Sequence, residues 1–421
     1  MRSSIKTTDL LNRIFAILIM LSFFIVFIHR TFNHHNDFTH ALTVNLRLLK
    51  HSEKSLARRA YEFYMDIYED IRGIVEAHYS FPPMLDVNKH IHFMYLRATG
   101  RGHFNEVTFL TDGRLMLDNR YPNLYLQERT EAITGLGNYL TDKGTPFLYV
   151  RIPNKLQDNS LLPRAFSDNH IIENGDNMYN QIAENGIDTF DLRAEMNRDN
   201  IDFASAFFRY HLHWTYESTL WASRSLGNYI NREYGFNIDL SLWDLDNFDQ
   251  LTFKRAFNGI EAEFTGGYHV REDITFFVPR YHVDFEMRTS EDGYGVLTSD
   301  SFTQLFIPSI YNGNDEFAEY DIRLPGAQFT GIRNNNVEEE KRVLLISDSY
   351  ALSWASMLSL GLRNLDFVYL ITDRTHLFLW HYLRVTDYDL VIFALSDVTI
   401  SIDSAPEFER DRLYLGTPPN R

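Results

Sequence analysis

Ser349 lies in the segment Val343-Leu344-Leu345-Ile346-Ser347-Asp348-Ser349-Tyr350. A serine hydroxyl is a poor nucleophile until a neighbouring base takes its proton, and histidine is the usual base. The upstream segment His211-Leu212-His213-Trp214-Thr215 offers one. A Ser–His pair of this kind points to acyl transfer through an acyl-serine intermediate. The chain has 0 Cys, which excludes thiolate chemistry and a disulfide framework. His90-x-His92 and Trp380-His381 have no third histidine or carboxylate at ligand spacing, so neither a metal nor another cofactor is expected.

The four apolar residues before Ser347 predict a buried strand, and 351–362 predicts a helix. Ser349 then falls at the carboxyl end of a strand and the start of a helix. Open α/β sheets place their chemistry there, and helix N–H groups with a positive dipole end suit a developing oxyanion. Asp348 reads as a turn residue. Strands are expected at 107–110, 147–153, 187–192, 367–371 and 390–395, with helices at 125–143, 176–185, 215–234 and 377–383. This alternation predicts an α/β fold, a parallel sheet with helices on both faces. Residues 235–340 are rich in Asn, Asp, Gly and aromatics and predict a β-rich insertion.

Arg2, Lys6 and Arg13 precede an apolar run over 14–28 with no small-x-small cleavage site after it. The pattern predicts an uncleaved signal anchor over 1–33, a single span, with the remaining chain outside the cytoplasm at the cell membrane. Apolar positions at helical spacing from Leu49 to Ile74 predict a helical membrane-proximal stalk within 34–104. The main domain follows at 105–400, and a tail at 401–421 contains Pro418-Pro419. Net charge is -17, which argues against a nucleic-acid partner, since phosphate contact needs basic patches. Aromatics make up 15% of the chain, enough for large aromatic cores and also for a glycan cleft.

Several segments, taken in order, resemble a known family. Thr111-Asp112-Gly113-Arg114-Leu115 is similar to its D-G-x-L entry strand, and Val150-Arg151-Ile152-Pro153-Asn154-Lys155 to its strand ending in P-x-K or P-N-K. Gly186 to Arg193 resembles its "gid-x-x-dlr" strand, His211–Thr215 its D-x-H-W-T element, and Ser347-Asp348-Ser349-Tyr350 its G-D-S or K-D-S element. Thr372-Asp373-Arg374 resembles a late D-x-R element. These are the landmarks of the SGNH-hydrolase-like proteins of polysaccharide acetylation, the AlgJ/AlgX type, and of its DHHW-motif branch in particular.

The resemblance implies an SGNH-like three-layer α/β/α sandwich, an extracytoplasmic position and O-acetyl transfer to, or ester cleavage on, a cell-surface polysaccharide. The acyl group would come from a membrane-bound O-acyltransferase partner. Ser349 takes the nucleophile's place, His213 the base's, and His211 that of the family's acidic residue. Tyr350, Lys155 and Arg374 are the expected substrate contacts, although Lys155 and Arg374 equally suit exposed strand ends. His211 can accept a hydrogen bond but offers no negative charge; Glu217, Asp191 and Asp202 are the carboxylates that could make good the loss. A non-catalytic, glycan-binding scaffold is the second reading.

Overall fold

The computed structural model describes residues 103–104, 107–117, 123–163, 169–264, 271–289, 296–308, 312, 329–370, 379 and 383–401. The chain forms two compact units, 1–104 and 105–421. The first is described only at the short strand His103–Phe104. The expected anchor at 1–33 and most of the stalk at 34–104 therefore lie outside the described residues, as does the tail after Ser401. Among the described residues no helix is long and apolar enough to cross a membrane.

In the second unit, β1 (Val107–Phe109) and β2 (Leu115–Leu117) pair antiparallel around the Asp112-Gly113 turn. Then come α1 (Leu126–Asp142), β3 (Phe147–Ile152), α2 (Ile171–Glu184), β4 (Asp188–Asp191), α3 (Leu192–Arg198), α4 (Phe203–Ala206) and α5 (Tyr216–Tyr234). The middle of the chain supplies β5 (Phe248–Phe257), α6 (Ile260–Phe264), β6 (Glu272–Pro279), β7 (Phe285–Thr289), β8 (Val296–Ser299), α7 (Phe302–Phe306) and β9 (Phe329–Asn334). The last elements are β10 (Arg342–Ser347), α8 (Ala351–Leu358), β11 (Asn364–Tyr369), β12 (Leu390–Ser396) and α9 (Asp397–Ser401).

Eight strands form one sheet in the order β4-β3-β12-β10-β11-β9-β7-β8. The first five are parallel to their neighbours. β9, β7 and β8 add an antiparallel edge. The residues expected to form a β-rich insertion thus do not stand apart: three of their strands extend the main sheet, while β5 and β6 form a separate ribbon.

β3, β10 and β12 are buried along almost their whole length, as central strands covered on both faces must be. Alternate residues serve two different cores. Leu148, Val150, Val343, Leu345, Ile392 and Ala394 join the core that takes in Leu192, Leu226 and Trp354 from α3, α5 and α8. Tyr149, Leu344, Ile346, Val391 and Phe393 face the other core, with Ile133, Leu136, Met178 and Ile182 from α1 and α2. The observed architecture is thus a mixed α/β fold with helices against both sheet faces. Local chemistry sets the helix ends: Asp191 and Thr215 cap the starts of α3 and α5, and Gly235, at φ 64°, ends α5 in the left-handed region. The helix expected over 351–362 stops at Leu358 and continues as turns.

Candidate active site

β10 delivers Ser349 to the carboxyl edge of the parallel strands, two residues past the strand and two before α8. The turn is held by Asp348, which is fully buried. One carboxylate oxygen accepts from the Tyr350 N–H at 3.0 Å. The other accepts from the N–H and hydroxyl of Ser396 at 2.8 and 2.7 Å. Asp348 thus ties the end of β10 to the end of β12, a structural role.

The histidines arrive on the loop between α4 and α5. His213 Nε2 lies 2.9 Å from Ser349 Oγ. On its other side, His213 Nδ1 lies 3.1 Å from Nδ1 of His211. The backbone N–H of His213 also points at His211 Nδ1, at 3.3 Å. A nitrogen approached by a backbone N–H must be an acceptor, so His211 carries its proton on Nε2. His213 then carries its own on Nδ1 and turns the Nε2 lone pair to the serine hydroxyl. The second histidine therefore performs one of the two tasks of a triad carboxylate, fixing the tautomer. It supplies none of the charge.

Both rings are buried. Burial pushes the His213 imidazole down to about 3, helped by the nearby Lys155 ammonium. Burial also holds His211 well below its ordinary value, with His213 and then Lys155 adding to the effect. The pair is thus neutral across the physiological range. The carboxylates considered as rescuers are engaged elsewhere or turned outward. Asp191 caps α3 and pairs with Arg151, Asp202 caps α4, and Glu217 is exposed in the first turn of α5.

Two expected substrate contacts are corrected. Lys155 is 1% exposed: its ammonium donates to the carbonyls of Leu115 at 2.7 Å and Phe208 at 3.0 Å and pairs with Glu261. It does not end the strand in solvent, and its N–H groups are directed at protein acceptors. Burial pushes Lys155 down and Glu261 up to about 7, each against the attraction of the other. Three acceptors around Nζ use all three N–H groups of an ammonium, so the pair is charged. Tyr350 is 1% exposed; its hydroxyl donates to the Leu212 carbonyl, and its ring packs edge-on against His213 at 4.7 Å. It braces the histidine loop. Arg374 lies outside the described residues.

The expected oxyanion donors at the start of α8 are also corrected. The N–H groups of Tyr350 and Ala351 are taken by Asp348, and that of Leu352 by the Ser349 carbonyl. Glu261 completes this site without being among the residues expected from the sequence. Glu261 and Glu263 alternate with Ile260, Ala262 and Phe264, and nothing local marks one carboxylate rather than the other for burial.

Residues 109–239 match the family model described as the SGNH hydrolase-like domain of acetyltransferase AlgX. The match includes both histidines and stops short of Ser349. No curated protein matches the chain in sequence. Among solved structures, Bacillus cereus PatB1 superposes at a TM-score of 0.55 with 15% identity, over 71% of this chain and 97% of that one. PatB1 with a sulfonyl adduct gives 0.56 and 15%, over 72% and 99%. The O-acetyltransferase domain of Pseudomonas putida AlgJ gives 0.44 and 14%, over 70% and 92%. The chain therefore resembles the SGNH hydrolase-like acetyltransferases of the AlgX type in sequence over 109–239, and it shares the overall fold of PatB1.

Proposed function

We propose that this protein is a serine-dependent O-acetyltransferase or esterase acting on a cell-surface polysaccharide. The observation that carries the reading is the 2.9 Å approach of Ser349 Oγ to His213 Nε2, with the tautomer set by His211. The family match over the histidine segment supports acyl chemistry.

Ser349 Oγ attacks the carbonyl carbon of the acyl donor as its proton passes to His213 Nε2. The tetrahedral intermediate collapses, and His213 returns that proton to the departing oxygen. A sugar hydroxyl (or water) then attacks the acyl-serine, giving its proton to His213, which hands it back to Ser349 Oγ. Among the described residues the Ser349 N–H has no acceptor, so it is the backbone donor open to the oxyanion. A membrane-bound O-acyltransferase partner would supply the acyl group. The N-terminal anchor would hold the domain outside the cytoplasm, at the cell membrane.

The test is acetyl-ester turnover by the full-length protein beside Ser349→Ala. Loss of a triad member typically removes roughly 10³-fold or more of the rate, and the expected result is that loss with an unchanged melting temperature. Turnover retained in the variant would overturn the mechanism. One observation favours a second reading: a histidine, not a carboxylate, stands behind His213. On that reading the domain is a glycan-binding scaffold, and the polymer would bind equally to wild type and to Ser349→Ala with no turnover in either.

A further inference from the structure

The loop that carries His211 and His213 is fixed by groups that never approach Ser349. From Phe208 to Tyr210, each backbone N–H and C=O is bonded outside this three-residue run. The Phe208 N–H donates to the His213 carbonyl, closing the loop on itself. The Phe208 carbonyl accepts from Lys155 Nζ at 3.0 Å. The N–H groups of Arg209 and Tyr210 donate to the two carboxylate oxygens of Glu272, at 2.8 and 3.0 Å. The Arg209 carbonyl accepts from the Leu115 N–H, and the Tyr210 carbonyl from the Ala262 N–H in α6.

Lys155 and Glu261 join these attachments. Lys155 follows the carboxyl end of β3 and reaches both the Leu115 carbonyl in β2 and the histidine loop. Glu261, in α6, pairs with Lys155 and accepts from the Leu117 N–H at 3.0 Å. The pair therefore links β3, β2, α6 and the loop at one buried point. A fully buried ion pair is an expensive way to gain stability, because well-packed apolar residues of similar volume do as well or better. What it supplies is fixed placement: an ammonium with three different acceptors has one position that satisfies all three.

We propose that the Lys155–Glu261 ion pair is a positioning device for the catalytic histidines, holding the loop so that His213 Nε2 meets Ser349 Oγ. This rests on the acyl-transfer reading above and assigns Lys155 a role other than substrate contact. Its ammonium also opposes a second positive charge on either imidazole, consistent with the neutral pair the relay begins from.

The test uses the full-length protein carrying Lys155→Met and Glu261→Gln together, which removes both charges and strands neither. Three readouts are compared with wild type: the rate of Ser349 labelling by a fluorophosphonate, the kcat and KM for an acetyl ester, and the ¹⁵N imidazole spectrum of histidine-labelled protein. The expected result is a folded variant with labelling and kcat down about 10-fold or more, KM unchanged, and the His213 signals moved from a single Nδ1–H tautomer to a mixture. A folded variant with wild-type labelling and imidazole spectrum would overturn the proposal. Should the double variant not fold, Lys155→Met alone, which leaves a carboxyl group able to take up a proton and not a stranded ammonium, is read in the same way. Failure of both to fold would make the pair a fold determinant and equally overturn the positioning role. If wild-type Ser349 neither labels nor turns over, the acyl-transfer reading fails, and the imidazole spectra still decide whether the pair orders the histidines.

Discussion

A base without a carboxylate behind it titrates differently from the usual serine-enzyme histidine. In the proposed mechanism His213 must be neutral to accept the serine proton, and burial pushes it down to about 3. A depressed pKa keeps the working form populated as the solution is acidified, so the acid limb is displaced downward. The expected profile of kcat/KM is flat from pH 8 down to about pH 5, measured on an acetyl ester in buffers of constant ionic strength. A limb with an apparent pKa of 6 to 7 would contradict the neutral pair. His211→Asp supplies the missing charge at the same place. Its carboxylate would favour the imidazolium, which raises the His213 pKa and brings an acid limb into the measured range. Turnover above that limb should rise, by at most about 10⁴-fold, the size of the loss when a triad carboxylate is neutralised in a serine protease. An unchanged profile in this variant would mean that position 211 does not face His213 in solution.

At the scale of elements, the strands and helices around the sheet were legible because their signals are local. The apolar run 343–346 and the Asp-Ser turn after it became β10 and the start of α8. The helix read at 125–143 appears as α1, Leu126–Asp142, and Thr215 is the cap of α5 as its residue type suggests. The meeting of His213 with Ser349, 136 residues apart, was reachable only through the order of motifs. Lys155 reads as solvated because a lysine near a strand end ordinarily is. Its burial depends on Glu261 arriving 106 residues later, and no local pattern reports that. α6 also approaches the histidine loop more closely than a side chain allows. A Cβ on Gly259 would lie 2.0 Å from the Tyr210 carbonyl oxygen and 2.8 Å from the His211 nitrogen. These are backbone atoms and cannot swing aside. Gly259→Ala should therefore shift the loop, costing about 1–3 kcal/mol of stability and lowering kcat by about 10-fold or more. Thermal denaturation and ester turnover read the two effects. Wild-type turnover in this variant would show that the loop's placement tolerates displacement.

For the whole molecule, charge is distributed unevenly. Basic side chains outnumber acidic ones over 1–104, while from 105 onward the acidic ones dominate and bring the total to -17. On the proposed function, a basic N-terminal region would suit an anionic membrane face, whereas the acidic second unit would repel an acidic polymer before any subsite is reached. That repulsion is long-ranged at low salt: the screening length is about 30 Å at 0.01 M and about 8 Å at 0.15 M. It should therefore appear in the acceptor KM. Between two acceptors of matched length, an uncharged glycan should show a KM independent of salt, and a polyuronate a KM that falls as salt is added. A nucleic-acid-binding protein shows the opposite, losing affinity as salt releases its advantage. Steady-state acetylation of both polymers at the two ionic strengths checks the expectation. A polyuronate KM that rises with salt would mean that a local basic subsite outweighs the acidic unit around it, and would place that subsite beyond what net charge describes.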